Sequence, residues 1–271
     1  MAVNKYVKIA AHRGMTGYNI PGNTLAAFDL AIRYGADVIE LDATKSADGT
    51  LFVFHPQTER VALRKNVDIR RMSDAEIRCE VLCNEGGDRT VFGIPTLREA
   101  LEHLRDRCII NIDKFADNPA EIAALVREMK MQDQVYVKNM NVPENHRIVE
   151  EVAWDLPYMP FVHHTDPWCE ALNANRRIRY VGVEAVFDKE EDEVASRGYV
   201  EKLHAMGKEA WANGIVFDYK RVIAAGHNDD VSMLEDADQG WGWLVNQGFD
   251  IIQTDWVPQL KQYLISRGIS K

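Results

Sequence analysis

Eight short apolar runs alternate with helix-period stretches from one end of this chain to the other. The runs fall at 7–12, 37–42, 108–113, 134–138, 158–162, 180–184, 208–213 and 250–254. Amphipathic stretches at 24–34, 96–105, 120–130, 199–206 and 239–247 lie between them. Apolar runs this short, alternating with helices, are the pattern of strands that pair in parallel. In 271 residues, eight such repeats fit a closed barrel of about 250 residues better than an open doubly wound sheet. The expected fold class is α/β, a (β/α)8 TIM barrel forming a single domain over 1–271. No Gly-rich GxGxxG or GxxxxGK[ST] follows any run, which removes the main support for a Rossmann or P-loop reading.

One interval breaks the rhythm. Roughly residues 43–94 separate the second run from the amphipathic stretch at 96. This interval contains Asp48-Gly49, a hairpin signal in which Asp48 is a turn residue, then the alternating TLFVFH, then a polar stretch through Arg89. It is expected to be an insertion above the barrel mouth, starting with a β-hairpin and serving as a substrate cap.

Six runs end in polar or ionisable residues: His12-Arg13, Glu40-Leu41-Asp42, Asp113-Lys114, Lys138, Glu184 and Trp211-Ala212-Asn213. In a barrel these ends converge on one mouth, where charges are costly unless they meet a ligand or one another. Glu40 and Asp42 stand two apart on a strand and share a face. Their mutual repulsion calls for a divalent cation, with Asp113 as a third oxygen ligand. An all-oxygen set favours Mg or Ca over Zn. The competing reading is a salt-bridge network with Arg13 and Lys114. His12 and His55 are candidate proton carriers, able near pH 7 to serve as a base for a nucleophile and an acid for a leaving oxygen. Arg13 offers a permanently charged fork for phosphate oxygens.

The order His12-Arg13, Glu40-x-Asp42, His55 resembles the HR…ExD…H signature of the glycerophosphodiester phosphodiesterases. The similarity extends to NTLAAFDLAIRYGADVIELD, ADGTLFVFH, IPTLREAL and GFDIIQTDWVPQL, nearly the whole chain. The resemblance implies a barrel with a small inserted cap and a cation held by Glu40, Asp42 and Asp113. It implies His12 and His55 as the acid–base pair, Arg13 and a lysine on the phosphate, and products that are an alcohol and glycerol 3-phosphate. Two departures stand out. Pro21-Gly22-Asn23-Thr24 replaces the family's PENT, and the third strand ends Asn111-Ile112-Asp113-Lys114 where the family has Glu-x-Lys. Alternation puts Lys114 on the opposite face from Asp113 unless the strand has already ended, and Lys138 is placed to replace the inward lysine.

Other candidates carry less. Glu184 either binds a hydroxyl of the substrate or pairs with Arg179 or another strand-end residue. Trp211 is either an apolar wall or packing. His163-His164 either reach the site or are loop residues, and Asp255 reads as an N-cap of the last helix. Which histidine is the acid, and whether water or a neighbouring glycerol hydroxyl attacks, stay open. A phospholipase-type enzyme acting on a lipid or phosphoinositide is the rival on the same fold. A non-catalytic phosphodiester-binding barrel is the rival of another class.

The formal charge of −10 excludes the basic footprint of a nucleic-acid binder. It does not exclude a phosphate substrate, because a cation with local Arg and Lys reverses the field at the site. Cys79, Cys83, Cys108 and Cys169 form no CxxC, and Cys79 and Cys83 are expected on one helix as reduced thiols. No apolar run reaches the ~18 residues of a membrane span. The start shows no secretory h-region. The expected location is the cytoplasm, with secretion open if a natural N-terminus was trimmed. The expected partner is a small-molecule phosphodiester.

Overall fold

The computed structural model describes residues 6–216 and 219–269. The start of the segment read as leaderless, residues 1–5, lies outside them. The described strands are β1 (Lys8–His12), β2 (Val38–Lys45), β3 (Leu51–Val53), β4 (Val81–Cys83), β5 (Arg89–Gly93) and β6 (Ile109–Asp113). They continue with β7 (Val135–Val137), β8 (Phe161–His163), β9 (Gly182–Val186), β10 (Glu209–Asn213) and β11 (Ile251–Thr254). The parallel sheet runs β7-β6-β2-β1-β11-β10-β9-β8. Its ends meet through backbone bonds from Met159 N to Val137 O and from Phe161 N to Asn139 O, both 3.0 Å. The result is the expected (β/α)8 TIM barrel, and each of the eight apolar runs supplies one barrel strand.

Alternation along each strand sorts the side chains into two cores. Ile39 and Leu41 of β2 join Ile110 and Ile112 of β6 in the layer shared with Phe28, Leu97, Leu101 and Leu104 of the outer helices. Val38 faces the other way, with Ala10, Met159, Trp211 and Ile251 in the barrel interior. Each fully buried Leu or Ile in these layers contributes about 1.5–3 kcal/mol. Above that apolar floor the lumen turns polar, because the next inward positions are Glu40, Asp42, Asn111 and Asp113.

The helices begin where local chemistry lets them. Thr24 caps the helix Leu25–Arg33 by accepting from Ala27 N, and Thr96 with Glu99 forms a capping box for Leu97–Leu104. Helix starts after β1 and β5 are thereby fixed, which also fixes how the preceding loops cross the mouth.

The insertion starts as an antiparallel extension of β2, with Lys45 paired to Leu51 in β3. Gly49, at φ +95°, makes the turn that a side chain would strain. After it come short helices Glu59–Ala62 and Asp74–Arg78 and the antiparallel hairpin β4–β5. Phe52, Phe54, Leu63, Ile69, Ile77, Leu82 and Ile94 give this region its own apolar cluster. The shared helix expected for Cys79 and Cys83 does not form. Cys79 ends the helix Asp74–Arg78, and Val81–Cys83 pairs as a strand instead. All four cysteines are free thiols. No helix among the described residues is long and apolar enough to cross a membrane.

Candidate active site

Strand register assembles the carboxylates. Glu40 lies opposite His12 on β1, and Asp42 lies opposite Asp113 on β6. Glu40, Asp42 and Asp113 each offer an oxygen, all within 4.8 Å of one another. Asp42 Oδ1 is buried with no hydrogen-bond partner in the protein. A buried carboxylate oxygen left this way is costly unless a cation meets it, and three oxygen donors suit Mg or Ca. The residues present therefore fit a divalent cation.

Three residues around this cluster hold left-handed backbones: Arg13 (φ 57°), Asn23 (φ 59°) and Lys114 (φ 60°). Such conformations cost non-glycine residues on the order of 1–2 kcal/mol each. Each one aims a group at a carboxylate. Arg13 N donates to Glu40 Oε2 at 3.2 Å, and Arg13 Nε pairs with Asp42 Oδ2 at 2.9 Å. Asn23 Nδ2 donates to the same Asp42 oxygen at 2.8 Å, and Lys114 Nζ donates to Asp113 Oδ2 at 2.8 Å. Lys114 follows the alternative in which the strand has already ended. The strand ends at Asp113, and the left-handed turn swings the ammonium back onto the inward side.

The charges separate the carboxylates chemically. Burial, with the Asp42 charge beside it, pushes Glu40 up to about 7. Burial would raise Asp113 as well, but the Lys138 and Lys114 ammonium groups hold it well below the usual range.

His12 hydrogen-bonds Asp255 Oδ1 through Nδ1 at 2.9 Å. His55 Nδ1 lies 2.7 Å from the Pro56 carbonyl. Both partners only accept, so each Nδ1 carries the proton, which leaves Nε2 as the nitrogen available for proton transfer. Burial would lower the His12 pKa, but the Asp255 hydrogen bond and the Glu40 and Asp255 charges outweigh it, and the net shift is upward.

On the far side of the cluster, Lys138 Nζ donates to Glu184 Oε2 at 2.8 Å and lies 3.9 Å from Asp113. Asn213 donates to Glu184 Oε1 at 2.9 Å and accepts from Trp211 Nε1 at 3.1 Å. Both ionic groups are buried. Glu184 therefore pairs with another strand-end residue, while Arg179 pairs with Asp133. On the near side a cavity of about 750 Å³ is lined by His12, Arg13 and His55, by the loop after β1, by the insertion and by Asp255, Trp256, Pro258 and Gln259.

Several of these residues escaped sequence reasoning. Asp255 is not a helix cap: the cap position is Trp256, and the Asp255 carboxylate faces His12. Beneath it, buried Asp229 accepts from Asp255 N at 2.8 Å and from Thr254 and Trp241. The adjacency of the last strand to the first in a closed barrel is the signal that places Asp255 there. Asn23 and Asn213 carried no signal beyond their positions. His164 pairs with Asp192 at 2.9 Å in an exposed cluster with Asp188.

A family model described as a domain of unknown function matches residues 158–264. A glycerophosphodiester phosphodiesterase of Bacillus altitudinis is 27% identical over 179 residues, covering 62% of this chain and 73% of its own length. A crystal structure of a glycerophosphoryl diester phosphodiesterase from Parabacteroides distasonis aligns with TM-score 0.81 at 20% identity, covering 98% of this chain and 89% of the other. A phosphodiesterase of Oleispira antarctica, solved with the product sn-glycerol-3-phosphate, aligns with TM-score 0.68 at 22% identity over 96% and 97% of the two chains. The sequence thus resembles the glycerophosphodiester phosphodiesterases, and the barrel fold is shared with solved structures of such enzymes.

Proposed function

We propose that the protein hydrolyses glycerophosphodiesters to an alcohol and glycerol 3-phosphate, using a divalent cation and the two histidines. The observation that carries this reading is that His12 and His55 line one cavity, with His12 paired in register to Glu40 of a three-carboxylate cluster holding an unpartnered buried oxygen. The name and sequence similarity of the Bacillus altitudinis relative support it.

Glu40, Asp42 and Asp113 would hold the cation. When bound, it neutralises a non-bridging phosphate oxygen and acidifies the attacking hydroxyl. Arg13, already fixed against the cluster, meets a second phosphate oxygen. Lys114 supplies a further positive charge as the diester arrives. Lys138 and Glu184 form the wall for the small hydroxylated end of the substrate, while Trp211, fully buried in the barrel interior, is packing beneath them. One histidine Nε2 accepts the nucleophile's proton and the other returns a proton to the departing alcohol oxygen. The insertion closes the near side of the mouth as a cap over the histidines.

Release of glycerol 3-phosphate from a panel of glycerophosphodiesters, run with Mg, with Ca and with chelator, tests the reading. Metal-dependent release is expected. Folded, metal-binding protein that releases nothing from any diester would overturn it. Phosphorus NMR during turnover separates attack by a glycerol hydroxyl, which passes through a cyclic phosphate, from direct attack by water.

A further inference from the structure

The two flanks of the histidines offer a diester very different surroundings. Toward the barrel axis, buried Lys138 and Asn213 each donate to buried Glu184, a polar and already paired surface. Toward the insertion lies the cavity of about 750 Å³, well within the range of sites that enclose whole ligands. His12 and His55 line that cavity, whereas Glu40, Asp42 and Asp113 do not. A phosphate held at the carboxylates therefore has one direction in which to place a bulky substituent, past the histidines and into the cavity.

The wall of the cavity mixes polar residues such as Thr58, Asn84 and Gln259 with a large apolar share. Ile20, Phe54, Val61, Leu82, Trp256 and Pro258 all contribute to it. Val61 is 70% exposed and Trp256 is 42% exposed, so large apolar groups face solvent at this opening. Apolar surface gathered around a concavity marks a binding site more than chance exposure does. The charged residues on the insertion side, Arg64 and Glu85, are exposed and of opposite sign. Gly22 adds no side chain, and a Cβ there would lie 3.1 Å from both Arg13 Cβ and Thr16 Cγ2. Arg64 offsets the charge of Glu85, and the Asp255 carboxylate is already tied to His12, so the wall carries little net charge to favour a cationic alcohol.

We propose that the cavity takes the alcohol half of the substrate, and that this alcohol is an uncharged alkyl or aryl alcohol rather than a small cationic one. The inference rests on the phosphodiesterase reading and extends it to the second half of the diester. Burial of several methylenes against this wall favours the apolar ester.

The test compares octyl and phenyl esters of glycerol 3-phosphate with the choline and ethanolamine esters, at saturating metal. The octyl and phenyl esters are expected to have kcat/KM about tenfold or more above the polar pair, expressed mainly in KM. Val61→Asp, at an exposed position of the insertion, is expected to narrow that ratio about tenfold, and Trp256→Ala to narrow it in the same direction. Equal or better turnover of the choline ester, or a ratio untouched by both variants, overturns the proposal. Calorimetric binding of the intact octyl and choline esters to the unmodified chain is read in parallel. If no diester turns over but the octyl ester still binds more tightly, and Val61→Asp weakens it selectively, the reaction assignment fails and the cavity assignment stands. If the two esters bind alike, the cavity assignment fails whatever the chemistry.

Discussion

Glu40, Asp42, Asp113, Lys138 and Glu184 stand on or directly beyond barrel strands and are tied to one another or to their neighbours. His55 and the cavity wall, in contrast, are carried by loops and by the insertion, which meet through few bonds. Glu85 N donates to Tyr18 O at 3.2 Å, and Asn84 Nδ2 donates to Asn19 Oδ1 at 2.9 Å. The strand-borne flank gains precision from a sheet whose every register is hydrogen-bonded, as a cation site requires. The loop-borne flank trades that precision for a shape that can differ without disturbing the barrel. On this division, damage to the histidines should cost chemistry, damage to the strand-borne flank should cost folding, and damage to the cavity wall should cost selectivity.

The largest effect expected is on chemistry. His12→Ala and His55→Ala should each lower kcat/KM by about 10³-fold, near 4 kcal/mol, while the melting temperature stays close to that of the unaltered chain. Near-normal turnover in either variant would remove that residue from the acid–base pair. Next in size is Lys138→Met. Lys138 is only 6% exposed, and its loss leaves Glu184 and Asp113 without their nearest shared cation. Removing one partner of a buried pair should cost about 3 kcal/mol in urea unfolding. A loss within about 0.5 kcal/mol would mean that Asn213 and water satisfy Glu184 unaided, and the strand-borne flank would be less interdependent than the distances imply.

The same division explains what was legible in the sequence. The eight strands were, because each buries one face under helices and the other in the lumen, and that leaves short apolar runs with polar ends. The Glu40–Asp42–Asp113 cluster was, because strand alternation alone puts positions two apart on one face. The direction of Lys114 stayed open because it depends on where the strand ends and on a left-handed φ that no periodicity announces. Asp255 was missed because it lies 243 residues from His12 in sequence and reaches it only when the last strand closes beside the first. The cavity was invisible for a related reason: three separate segments form its wall, and none of them shows a pattern by itself.

Asp255 offers a smaller test that sharpens the contrast. Its carboxylate both orients the His12 ring and contributes to the raised pKa. Asp255→Asn keeps an oxygen that can accept from Nδ1–H but removes the charge. It should lower kcat/KM by about 10²-fold, and the pH limb governed by His12 should move to lower pH, because an influence holding the imidazolium charged is lost. A tenfold or greater loss with no displacement of the limb would mean that Asp255 acts on ring position alone.

The smallest effect expected concerns proton–metal competition on the strand-borne flank. Burial and Asp42 push Glu40 up to about 7, so at and below that pH its carboxyl holds a proton that a cation must displace. As pH falls below 7, the apparent dissociation constant for Mg or Ca should rise, at most tenfold, about 1.4 kcal/mol, per pH unit for one displaced proton. Above that value the same constant should level off, because Glu40 is already ionised. Calorimetric titration in two buffers of different ionisation enthalpy measures the protons released as well as the affinity. Proton release near pH 6 that vanishes near pH 8, and that disappears in Glu40→Gln, would identify this carboxylate as the titrating ligand. Release that persists in Glu40→Gln would assign the displaced proton to another group, with His12, its neighbour across the strand pair, the first to examine.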